Sequence, residues 1–274
     1  MLKRFAVRLT IFSAALLALS HGVAFADECA PAAVVSCETA GPQAPRDVDN
    51  PTGTNPVRFA KAPPAADMRL CDIHFHRFAE HKVRDSVDAG RLDADTVAAL
   101  GQGEGYVCRE GEALFATRDE PGTVAHREGC QGVGFGDTIE VHWVFTTCDV
   151  EPAPCLTSCF SGACRNPQLR VEAQVFYLTD PDYPRPEDWA EEGYAAAPPE
   201  SDDRVEYLGS TTGSAYNEED ACSPFQVTWS VRRDCRALTL ESLDAWCEHN
   251  EFEEDHPHGV RSLVTKPGRL SEIR

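Results

Sequence analysis

The chain has 274 residues, with 45 Asp and Glu set against 25 Lys and Arg, a formal net charge of -20 at neutral pH. So acidic a surface is repelled by phosphate backbones, which excludes nucleic acid as an expected partner and leaves no basic face for anionic lipid. The length is enough for one large core, and neither a repeat nor a low-complexity linker interrupts Met68 to Val264, so one domain is expected.

The first element in chain order is an export signal. Lys3, Arg4 and Arg8 precede an apolar run from Leu9 to Leu19 broken only by Thr10 and Ser13, and Ala24-Phe25-Ala26 supplies a small-x-small cleavage site. Residues 1–26 are therefore expected to be a signal peptide, cut near Ala26 to release a periplasmic or secreted protein. Losing those three cations takes the formal net charge from -20 to -23. No other stretch approaches the roughly 20 apolar residues a membrane helix needs, so no membrane insertion is expected. Residues 27–67, rich in Pro, Ala and Gly, read as an extended arm packed onto a main domain at 68–274. All twelve cysteines lie beyond residue 26, and an even number in an exported chain reads as a disulfide framework. Cys155, Cys159 and Cys164 crowd together in CLTSCFSGAC, but their spacing is wrong for a CxxC metal knuckle.

From Leu70 the chain turns to short alternating segments, CDIHFHRF, TIEVHWVFTTC, LRVEAQVFYL and FQVTWSVRR, separated by turn-rich stretches. Helical patterns are confined to Asp93–Leu100 and Leu240–Cys247. The expected fold is mainly β, with short helices and long disulfide-pinned loops.

Two of these segments carry chemistry. In Ile73-His74-Phe75-His76 the histidines are two apart, so a strand points both imidazoles to one face, close enough to share a metal ion. In Glu140-Val141-His142 a third imidazole and a carboxylate share a face in the same way. Were the two strands neighbours, three neutral imidazoles would converge, the donor set of a catalytic zinc site with an open fourth position. Such donors also suit cobalt or iron. Glu140 stands where it could accept the outer ring N–H of a ligand and set its tautomer.

These motifs and their order resemble the delta-class carbonic anhydrases, whose site logic is similar to that of the alpha class. The matching segments are Gly41-Pro42-Gln43-Ala44-Pro45-Arg46-Asp47, Ile73 to His81, Glu140 to Trp143, Tyr207-Leu208-Gly209-Ser210-Thr211-Thr212 and Val227 to Val231, closed by Asn250 and Arg261. The resemblance implies a single domain around a central, largely antiparallel sheet, a Zn(2+) cofactor on His74, His76 and His142, and reversible hydration of carbon dioxide to bicarbonate. It further implies a threonine that orients the attacking hydroxide and donates to Glu80, an apolar substrate pocket lined by Val144, Val175 and Trp229, and a disulfide between Cys37 and Cys222.

The sequence departs from the alpha-class pattern in several places. Glu80 follows His76 by only four residues, and a simple strand would carry it about 6–7 Å past that histidine. Gly213-Ser214 replaces the prolines after the threonines, and either Thr211 or Thr212 fits the catalytic position. His81 is expected to be buried beside Glu80. His249, His256 and His258 read as part of a solvated acidic tail, His126 falls in a Gly-rich loop, and no proton carrier is identified. Two other readings compete. HFHRFAE also fits the HxHxxxE pattern of cupins, although Met68 stands where they carry glycine. An exported zinc-binding protein without catalytic activity would need the same histidines.

Overall fold

A computed structural model describes residues 33–91, 104–117, 129–154 and 156–274. The expected signal peptide, the helical pattern at Asp93–Leu100, and His126 lie outside them. The described residues form seven strands: β1 (Arg69–Arg77), β2 (Ser86–Asp88), β3 (Tyr106–Cys108), β4 (Thr138–Thr146), β5 (Leu169–Thr179), β6 (Arg204–Ser210) and β7 (Gln226–Thr239). Among the described residues two α-helices join them, α1 (Arg109–Phe115) and α2 (Leu240–Glu248). The second begins where the sequence predicts it; the first is too short to leave a periodic signal.

Five of the strands form one sheet in the order β1-β4-β5-β7-β6, and β2 pairs with β3 apart from it. The β1/β4, β4/β5 and β6/β7 pairs are antiparallel, whereas β5 and β7 run parallel. The sheet is thus mixed rather than uniformly antiparallel, because the chain leaves β5, forms the edge strand β6, and returns to pair with β5 through β7.

Every residue of β4 and β5 is buried, since these central strands are covered on both faces. Their β-branched and aromatic side chains suit such a position. On one face Ile73, Phe75, Val141, Trp143, Phe176 and Leu178 pack with Trp189, Leu243 and Trp246 in an apolar layer beneath α2. The other face holds Val144, Val171, Ala173, Val175, Val205, Tyr207, Val227, Trp229 and Val231, and here the polar chemistry is set. Alternation along a strand separates the two: Trp143 faces one layer and His142 the other.

Disulfides tie the loops to this frame. Among the described residues they join Cys37 to Cys222, Cys71 to Cys159, Cys108 to Cys235, Cys130 to Cys247 and Cys148 to Cys164. The Cys37–Cys222 pair is the one the family resemblance implies, and beside it Val35 and Cys222 form an antiparallel bridge. Residues 33–64 form no helix or long strand and pack along the rest of the chain: Gln43 N–H donates to Arg269 O and Ala62 N–H to Thr228 Oγ1.

Candidate metal centre

Register brings the histidines together. His74 on β1 stands directly opposite His142 on β4, and His76 stands opposite Glu140. Ligand atoms of His74, His76 and His142 all lie within 4.8 Å of one another. Their ring centroids are 5.2, 5.1 and 4.7 Å apart.

Each imidazole has one nitrogen committed to an acceptor, and this assigns the tautomers. His74 Nδ1–H donates to Asp72 Oδ2 at 2.6 Å, His76 Nδ1–H to Gly259 O at 3.0 Å, and His142 Nε2–H to Glu140 Oε1 at 3.0 Å. The inward atoms are therefore unprotonated: His74 Nε2, His76 Nε2 and His142 Nδ1. His142 Nδ1 and His74 Nε2 face each other at 3.2 Å, two lone pairs with no hydrogen between them. His76 Nε2 is buried with no hydrogen-bond partner. A cation resolves both features at once, and three imidazole nitrogens are the donors zinc takes in open catalytic sites. The residues present fit the metal.

Burial keeps the His76 and His142 rings neutral. It lowers the His142 imidazole to about 4 despite Glu140 beside it, and it holds His76 well below the usual imidazole range, with His74 and His258 adding to the effect. Glu140 shows the opposite balance. Burial alone would raise it, but His81 and His142 hold its carboxyl well below the usual range. It accepts from His81 Nδ1–H at 2.5 Å and from the backbone N–H groups of Glu80 and His81 at 2.7 and 2.9 Å. Behind it, Tyr207 O–H lies 2.6 Å from His81 Nε2, and the Arg46 guanidinium lies over the Tyr207 ring. His81 is thus buried as expected, but its close partner is Glu140 rather than Glu80.

Glu80 lies near the metal centre because β1 ends early. Phe78 takes a left-handed conformation, with φ of 66°, and turns the chain back so that Ala79 pairs with Tyr106. Few bulky residues adopt this backbone. The turn leaves Glu80 Oε2 only 3.9 Å from His76 Nε2 instead of one further strand period away. Glu80 Oε1 accepts the Arg261 backbone N–H at 2.6 Å. Burial raises the Glu80 carboxyl and the Glu140 charge adds to this, while His142, the Arg261 N–H and the Thr212 side chain oppose it. Oε2 closes no hydrogen bond of ordinary geometry, so the Thr212 contact is a loose one. The two candidate threonines both line a cavity but are held differently: the Thr211 hydroxyl lies 2.5 Å from Ser223 Oγ, while the Thr212 side chain meets Glu80.

That cavity, about 380 Å³, opens above the three histidines. Val144 and Trp229 line it, and the Trp229 ring also contacts the His142 ring edge-on, 5.1 Å between centroids. Val175 does not line it. Register sets Val175 opposite Glu140, beneath the histidines, and Val171, opposite Val144, takes its place in the wall. Leu156 and Phe160, from the loop pinned by the Cys148–Cys164 and Cys71–Cys159 disulfides, extend the wall, and Phe160 packs on Phe225.

Sequence reasoning missed several of these groups. Asp72 was within reach, since it extends the two-residue period of His74 and His76 by one step. His258, assigned to a solvated tail, instead lines the cavity, its ring 5.3 Å from that of His74 and its Nε2 3.1 Å from Glu254 Oε2. Its only sequence signal is the nearby Arg261 landmark. Val171 and the Gly259 carbonyl carry no sequence signal at all.

Comparison with known families agrees with this geometry. A family model described as "Delta carbonic anhydrase" matches residues 65–242, more than half of the chain, including all three histidines and Glu80, Glu140 and the two threonines. No curated protein matches the chain.

Proposed function

The chain belongs to the delta carbonic anhydrases, and from that premise we propose that it is a zinc enzyme hydrating carbon dioxide reversibly to bicarbonate and a proton. The observation that carries the reading is the convergence of three unprotonated imidazole nitrogens, one of them buried and unpartnered, on one point beneath an apolar-walled cavity.

His74 Nε2, His76 Nε2 and His142 Nδ1 would hold the metal. When bound there, zinc supplies the Lewis acidity that brings water ionisation near neutral pH, a property for which carbonic anhydrases are themselves the type case. The chain's own groups do the rest. Glu140 keeps the outer nitrogen of His142 protonated, so that Nδ1 stays available to the metal and the ring cannot turn. Carbon dioxide carries no charge to grip, so Val144, Val171 and Trp229 hold it by excluding water beside the histidines. In this role the Thr212 hydroxyl donates its proton to Glu80 and accepts the proton of the attacking hydroxide, aiming the oxygen lone pair at the substrate carbon. Such orientation lowers the barrier because the geometry is set before reaction.

We assign export through residues 1–26 to the same reading; the disulfide framework supports it, because such bonds persist in oxidising compartments. No helix among the described residues is long and apolar enough to cross a membrane.

Metal analysis of the oxidised protein together with stopped-flow carbon dioxide hydration tests the proposal. One zinc per chain and hydration above the buffer rate are expected. A chain that holds zinc yet leaves carbon dioxide hydration at the buffer rate would mean a binding protein instead.

A further inference from the structure

The two neighbouring threonines are held very differently. Thr211 is buried, and its hydroxyl is engaged by Ser223 at 2.5 Å across the loop that joins β6 to β7. Ser223 is itself fully buried and held at both backbone groups by one side chain: its N–H donates to Gln43 Oε1 at 3.0 Å, and its carbonyl accepts from Gln43 Nε2 at 3.0 Å. The Gln43 amide thus imitates a strand partner and leaves the Ser223 hydroxyl directed at Thr211. Gln43 in turn accepts from Arg261 Nη1 at 3.2 Å, while Nη2 of the same guanidinium reaches Asn217 O in the threonine loop at 2.8 Å. The backbone N–H of Arg261 holds Glu80 Oε1. One buried scaffold therefore grips both the threonine loop and the carboxylate with which Thr212 must work.

We propose that Ser223 and Gln43 are positioning residues for hydration: they hold the Thr211 hydroxyl on Ser223, so that Thr212 presents its own hydroxyl between Glu80 and the substrate. The inference rests on the hydration reading above and extends it to two residues that touch neither metal nor substrate. Thr211 acts as the anchor of the pair and Thr212 as the working group. Without the Ser223 hydroxyl the loop keeps its disulfide at Cys222 but loses the contact that fixes its rotation. A displacement of about 1 Å in an orienting group costs on the order of ten- to a hundred-fold in rate.

A double-mutant cycle read by stopped-flow hydration, with zinc content measured on every variant, tests this. Ser223→Ala and Thr211→Val should each lower kcat about ten-fold or more, with full zinc content and little change in KM. Thr211→Ser, which keeps the hydroxyl, should retain most of the rate. Neither Ser223→Ala nor Thr211→Val should cost anything further in a Thr212→Ala background, because both act through Thr212. Wild-type kcat in Ser223→Ala overturns the proposal. So does an equal fractional loss with and without Thr212, which would mark a purely structural contact. A wild-type chain with no hydration activity overturns the functional reading itself, an outcome distinct from either.

Discussion

The two faces of the central sheet are built from alternate residues of the same strands, yet they solve opposite problems. On β4, Val141 and Trp143 enter a layer whose ring edges and stacks are satisfied by packing: Trp143 stacks on Trp189 with 6.0 Å between centroids and donates its indole N–H to Tyr194 O. One residue away, Glu140 and His142 sit equally buried among hydrogen bonds that are complete except toward one point. Burial is common to both faces and so decides nothing about function. What separates them is convergence: the apolar layer leaves the lone Trp189 indole N–H unpartnered, whereas on the other face the nitrogens of three imidazoles meet at one point.

Substitutions that hit one face alone should separate the two. The largest effect belongs to His76→Ala, which should abolish hydration and zinc binding while near-ultraviolet circular dichroism stays native. Chelator-treated wild type should behave alike and recover on adding zinc. Trp143→Ala should do the reverse, costing about 3–5 kcal/mol in denaturant unfolding through the cavity it leaves, with one zinc still bound per folded chain. Glu80→Gln should keep zinc and fold but lower kcat by about ten-fold or more, since the orienting acceptor becomes an amide. The smallest contrast lies between two valines on β5. Val171→Ala should raise KM for carbon dioxide by about ten-fold at most, whereas Val175→Ala should leave KM unchanged and cost roughly 1–3 kcal/mol of stability.

The parts of the site that the sequence revealed are those that obey strand periodicity. His74, His76, Glu140 and His142 follow a period of two on residues that all fall inside β1 and β4, so their shared face could be read directly. Glu80 could not be placed this way, because the left-handed turn at Phe78 breaks the period and no glycine marks it. Thr211 and Thr212 stayed interchangeable because their difference lies in a contact with Ser223, twelve residues further along a loop. Val175 was put in the wall and Val171 left out because both lie on the right face. Only the β4/β5 register distinguishes them, and register depends on a strand pairing that neither segment encodes alone. Among the ten cysteines that pair in the described residues, the resemblance reached one bond, Cys37–Cys222; spacing gave no access to the other four.

The disulfides that pin Leu156 and Phe160 hold a part of the site that strand pairing does not. The histidines are brought together by pairing of β1 with β4, which needs no oxidation, whereas that part of the cavity wall hangs on Cys71–Cys159 and Cys148–Cys164. A still reduced chain would therefore offer its ligands through an open flank. Oxidation would then shut that flank around a metal already in place. Zinc uptake followed with a chromophoric chelator should be faster for the reduced chain than for the oxidised one, and equal rates would mean that loading takes place through the finished mouth.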